Sequence, residues 1–162
     1  MATPTDIERL SYGGPKGSLG LGLHREVVLV TASTTLLQKQ SGALVVLGVA
    51  AGATVTLPTP VEGMVFEVSV SVSRTSNSYK IITGAATQFL LGAYAAMDAT
   101  IATSGDVFTG DGSTHVALTI DGDTKGGLVG GCLTFTGLSA TQWLVTGDVV
   151  GTGTMVTAFA TS

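Results

Sequence analysis

Few residues in this sequence are equipped for chemistry, and their spacing limits what they can do. Cys132 is the only cysteine among 162 residues, so an internal disulfide is impossible and the cysteine pairs of a zinc site are absent. It lies in the apolar run Cys132-Leu133-Thr134-Phe135, which predicts a buried structural thiol rather than a nucleophile. The two histidines, His24 and His115, have no second His or Cys at ligand spacing. Both therefore read as surface or interface histidines, and no metal and no cofactor is expected. Gly17-Ser18-Leu19-Gly20 lacks the spacing and the preceding strand of a nucleophile elbow. Lys16, Lys39, Lys80 and Lys125 lack the glycine-rich lead-in of a phosphate loop. Gly20-Leu21-Gly22 and Gly151-Thr152-Gly153 lack the third glycine of a dinucleotide fingerprint.

The aspartates need a closer look. Asp121-Gly122-Asp123-Thr124-Lys125-Gly126 begins like a calcium loop, but Lys125 at the fifth position and Cys132 at the twelfth break the ligand pattern. Asp106, Asp111, Asp121 and Asp123 would form a divalent-ion site or an acid-base pair only by converging in one pocket. Solvated turn aspartates are the simpler expectation, because Asp bonds its own backbone in turns. Trp143 is expected in the core; the alternative, a sugar-stacking platform, needs it exposed. Tyr12, Tyr79 and Tyr94 are scattered and form no ladder for single-stranded nucleic acid. The expectation is that the chain is not an enzyme.

The elements that must carry these residues are β-strands. The chain holds 23 Gly, 44% hydrophobic and only 11% charged residues, which rules out a charge-driven disordered chain and a long helical bundle. Its length fits one domain able to bury a core without staples. Short β-branched runs appear at Val27 to Thr31 and Leu44 to Leu47, and Ala53 to Leu57 alternates before Pro58-Thr59-Pro60 stops it. Met64 to Val72 alternates most clearly, with Met64, Phe66, Val68, Val70 and Val72 on one face. Further strands are predicted at Tyr79 to Thr83, His115 to Ile120, around Leu133 and Phe135, at Trp143 to Val145 and at Met155 to Phe159. Alanine-rich Leu90 to Thr103 is the least strand-like stretch and reads as a loop or a short helical turn. No fixed-period repeat of solenoid type is visible. The fold class is all-β: a β-sandwich, jelly roll or β-tulip-like domain over residues 26–162.

Residues 1–25 differ. Pro4, Gly13, Gly14, Pro15, Gly17, Gly20 and Gly22 punctuate them too often for a regular element, so they read as an extended N-terminal arm. The arm sums to +1, residues 26–97 to zero and residues 98–162 to −5, within a net charge of −4. That acidity argues against a nucleic-acid partner. The uncharged stretch from Gln40 to Val61 is broken by Gly and Pro and falls short of a membrane span, so no membrane partner is expected, and no secretory signal is visible.

Two stretches stand out. One runs from Gln40-Ser41-Gly42 through Gly52-Ala53-Thr54-Val55-Thr56-Leu57-Pro58-Thr59-Pro60 to Gly63-Met64-Val65-Phe66-Glu67-Val68. The other joins Gly126-Gly127 and Leu133-Thr134-Phe135 to Ser139-Ala140-Thr141-Gln142-Trp143-Leu144-Val145-Thr146-Gly147, Gly151-Thr152-Gly153-Thr154 and Ala158-Phe159. Together they resemble capsid decoration (head cement) proteins of tailed bacteriophages, over about a third of the chain. The resemblance implies a structural virion protein on the outer surface of the capsid, a homotrimer that binds the major capsid protein, clamps neighbouring capsomers and stabilises the mature head. Position and composition make the arm the candidate capsid-binding element, through Arg9, Tyr12, Pro15, Lys16, His24 and Arg25. The alternative is a tail, fibre or head-surface module that recognises host glycans through Trp143, the tyrosines and the turn aspartates.

Overall fold

The computed structural model describes residues 25–101 and 105–162. Twelve strands form in chain order: β1 (Val27–Val30), β2 (Thr34–Thr35), β3 (Leu44–Leu47), β4 (Thr54–Thr56), β5 (Val65–Val70), β6 (Tyr79–Ile82), β7 (Phe89–Asp98), β8 (Gly105–Asp111), β9 (Ala117–Ile120), β10 (Cys132–Gly137), β11 (Gln142–Gly151) and β12 (Phe159–Ala160). A single 3-10 turn, Gln38–Gln40, interrupts them among the described residues. The strands build a seven-stranded sheet, β1-β3-β5-β10-β11-β7-β8, and a five-stranded sheet, β12-β9-β6-β4-β2. One apolar core draws residues from both sheets. The domain is all-β, as its alternating patterns require.

The first six strands alternate between the sheets, and every pairing among them is parallel. A parallel neighbour needs a crossover, and here the crossover is a strand of the opposite sheet. The chain thus winds three coils, quite unlike the antiparallel Greek keys of a jelly roll. Val27 pairs with Leu44 and Leu44 with Glu67, steps of 17 and 23 residues. Thr34 pairs with Val55 and Thr54 with Lys80, steps of 21 and 26. Unequal steps are the reason that no repeat shows in the sequence. The later strands are wired mainly by antiparallel pairs, β7 with β8, β10 with β11, and β9 with β6 and β12; β11 alongside β7 is parallel.

Burial follows the alternation. Phe66, Val68 and Val70 of β5 point inward; Val65, Glu67 and Ser69 face out and are half-buried. Trp143, Tyr79, Tyr94, Phe66 and Phe135 are fully buried, each such side chain contributing on the order of 2–3 kcal/mol of apolar transfer. Gly147 on β11 has φ +123°, and any Cβ there would meet the Cys132 carbonyl. Only glycine fits, and the inward alternation of Trp143 and Val145 lapses at exposed Thr146 and Gly147 before Val149 resumes it.

Three sequence expectations change. Leu90 to Thr103 is no loop up to Asp98: β7 runs from Phe89 to Asp98, with Leu90, Tyr94 and Ala96 buried. The alanines hid a strand because close packing, not propensity, selects small residues there. His115 lies in the turn before β9 rather than on a strand. At the C-terminal end only Phe159 and Ala160 pair, although Met155 and Ala158 are buried.

Candidate functional site

The outward face of the seven-stranded sheet concentrates the unusual polar groups. Glu67 projects from β5, Cys132 from the adjacent β10 and Asp148 from β11, held on one face by the strand period of two. Arg25, just before β1, reaches over β3 and gives an Nη1 hydrogen bond to Glu67 Oε2 at 2.7 Å. The Cys132 thiol donates to Glu67 Oε1 at 3.4 Å. The Arg25 bond is the main reason that the Glu67 carboxyl is held below its ordinary range. Burial, and then Glu67, push the Cys132 thiol up to about 11. Burial also raises Asp148. A thiol with that pKa stays protonated at neutral pH and is a poor nucleophile. Cys132 is half-buried and faces outward, where its apolar run predicts a buried structural thiol.

The turn aspartates do not converge. Asp111, at the end of β8, accepts from the N–H groups of Ser113 and Thr114 at 2.9 Å each and from the Thr114 hydroxyl at 2.5 Å. Those bonds, the hydroxyl foremost, hold its carboxyl far below the usual carboxylate range. His115 Nδ1 lies 3.1 Å from Asp111 Oδ1, and its ring packs on Phe159 at 5.3 Å. Asp121 Oδ1 accepts from the N–H groups of Asp123 and Lys125, and Asp123 Oδ1 from the Thr152 hydroxyl. Asp106 sits separately on β8 opposite Ala96. Local turns thus take up the oxygens of Asp111 and Asp121, and a long-range bond to Thr152 engages Asp123. Among the described residues no three His, Cys, Asp or Glu groups are placed to hold a metal ion.

The aromatic candidates are inside. Trp143 packs on Phe66, with ring centroids 6.0 Å apart, and its Nε1 has no hydrogen-bond partner among the described residues. The Tyr79 hydroxyl accepts from Val49 N–H at 3.1 Å, and Tyr94 accepts from Ala158 N–H at 2.6 Å. A sugar-stacking role for Trp143, Tyr79 or Tyr94 is therefore closed by burial. A void of about 10 Å³ between Leu47, Val68, Ile120 and Val149 has room for one water.

What the surface does offer is apolar side chains at the two edges of the seven-stranded sheet. Val27 and Leu29 on β1 are 59% and 61% exposed, and Val107 on β8 is 69% exposed. Of the predicted arm residues, Arg9, Tyr12, Pro15, Lys16 and His24 lie outside the described residues; Arg25 is described and is tied to the body through Glu67. The sequence carried no cue to that tie, since 42 positions separate the partners. Among the described residues no helix is long and apolar enough to cross a membrane. No family model matches this chain, and neither a curated protein nor a solved structure matches it.

Proposed function

We propose that this chain is a structural virion protein that binds the outer surface of a phage capsid as a homotrimer, clamping neighbouring capsomers and stabilising the mature head. The observation that carries the reading is the pairing of a tightly packed two-sheet body with exposed apolar sheet edges at Val27, Leu29 and Val107. Such a body supplies rigid contact area. Three copies around one axis multiply weak contacts through effective concentration. An N-terminal segment that orders only on the right surface makes attachment conditional on an assembled shell. The resemblance to decoration proteins at Gln40 to Val68 and Gly126 to Phe159 supports the same reading. The glycan alternative loses Trp143, Tyr79 and Tyr94 as a platform, because all three are core residues; Tyr12 lies outside the described residues.

The test is co-sedimentation of the purified chain with stripped mature capsids from its source virus, with and without residues 1–24. Saturable binding at fixed stoichiometry, weakened by the deletion, is expected. An absence of binding to shells by the full chain overturns the reading.

A further inference from the structure

Two edges of one sheet end on complementary residues. The seven-stranded sheet is bounded by β1 and β8. From β1 the directions run parallel through β3 and β5, reverse at β10, return at β11 and β7, and reverse again at β8. Among the described residues β1 and β8 are the outermost strands of this sheet, and they are antiparallel to each other. Placed side by side in successive copies, they would pair in the more favourable antiparallel manner.

The cross-strand rows say what would meet. One row crosses the whole outward face: Leu29, Val46, Ser69, Cys132, Asp148, Ala95 and Val107 are consecutive partners. A second row links Val65, Thr136, Leu144, Leu91 and Asp111. Counting back four residues along β5 and β1 alike sets Arg25 at the level of this second row. In a closed ring whose strands run near its axis each row meets itself or a row close to it, the offset being set by the tilt of the closed sheet. With the rows level, Leu29 faces Val107 of the next copy, apolar on apolar. Arg25 faces Asp111, cation on anion. The Arg25 guanidinium gives one N–H group to Glu67 and carries others to share.

We propose that the β1 edge of one copy pairs with the β8 edge of the next, closing three copies into a ring through a continuous sheet. The partner is a second copy of this chain, and the proposal rests on the homotrimer reading above. Its contact is heterologous: β1 never meets β1, and β8 never meets β8.

Disulfide trapping tests it, in a Cys132→Ser background. Leu29→Cys and Val107→Cys alter residues more than 60% exposed, so the fold should persist, and facing antiparallel residues lie within disulfide reach. Under mild oxidation the double variant is expected to give a covalent product of three chains. Either single variant alone should stay uncrosslinked, and a mixture of the two singles should give only the two-chain product. Light scattering on the untreated chain reports the number of copies independently. Three copies without the Leu29–Val107 crosslink would overturn this interface and leave the trimer standing. A monomer at all concentrations would overturn the trimer reading and this one together. Efficient crosslinking by either single variant would mean a two-fold contact instead. A crosslink that forms only after residues 1–24 are removed would mean that the N-terminal segment, not a second copy, covers the β1 edge.

Discussion

Residues 27–82 and residues 89–160 use the same two sheets but are wired differently. In the first region each strand leaves its sheet, visits the other and returns beside its predecessor, so all pairing is parallel and between coils. In the second region β7 with β8 and β10 with β11 pair as antiparallel neighbours in sequence, and the two pairs are joined by parallel contact between β7 and β11. Buried aromatics occur in both regions, Phe66 and Tyr79 in the first and Tyr94, Phe135, Trp143 and Phe159 in the second, but the first coil itself is closed by aliphatic Val30 and Leu36. A coil at the end of a stack has one neighbour rather than two, and such regions open at lower cost than the centre. The difference teaches that the β1–β2 coil is the locally weak part and the β10–β11–β7 block the anchor.

The strongest test of that contrast is Trp143→Ala, expected to cost about 3–5 kcal/mol by denaturant unfolding, as for other buried aromatics. Trp143→Phe should cost less, since it also removes a buried N–H that has no partner among the described residues. Leu36→Ala should cost about 2–4 kcal/mol. In addition it should strip hydrogen-exchange protection from residues 27–36 while leaving β10 and β11 protected. If both variants lost protection uniformly, the two regions would be one cooperative unit and the contrast would fail.

Acid should act within the second region through two groups of opposite sign, on β8 and on β11. Asp111 has a depressed folded pKa, so its stabilisation is present above the unfolded carboxylate value near 4 and is lost as pH falls through the folded one. Asp148 is raised by burial, so its penalty is present above the folded pKa and is relieved as pH falls through it. Asp111→Asn should therefore flatten the loss of stability below about pH 4, and Asp148→Asn should steepen it, both read from melting temperature against pH. The smallest effect belongs to Arg25→Ala. Its exposed pair with Glu67 is worth no more than about 1 kcal/mol. The same change should lower salt sensitivity and leave Cys132 as slow toward maleimide as before, because burial dominates that thiol.

Particular residues show how much was legible. Met64 to Val72 was readable because Phe66, Val68 and Val70 alternate with Glu67 and Ser69, and that period admits only a half-buried strand. β7 was not readable, because Ala93, Ala95 and Ala96 carry no strand signal until the neighbours β11 and β8 confine them. The turn at Asp121 was legible from Asp121-Gly122-Asp123 alone, and its carboxylate bonds the N–H groups of Asp123 and Lys125. The outward cluster of Arg25, Glu67, Cys132 and Asp148 was not, since its members come from four separate segments.

By itself the sequence determined the all-β class, the turns at Asp111 and Asp121, and the inward faces of the clearest strands. These depend on period two and on local side-chain-to-backbone bonds, which act within a few residues. Only the tertiary structure decided that the first six strands coil in parallel, that Trp143 is core rather than platform, and that Leu29 and Val107 end the same row. Those outcomes depend on which distant strands become neighbours, and unequal crossover lengths leave no periodic trace of that choice in the chain.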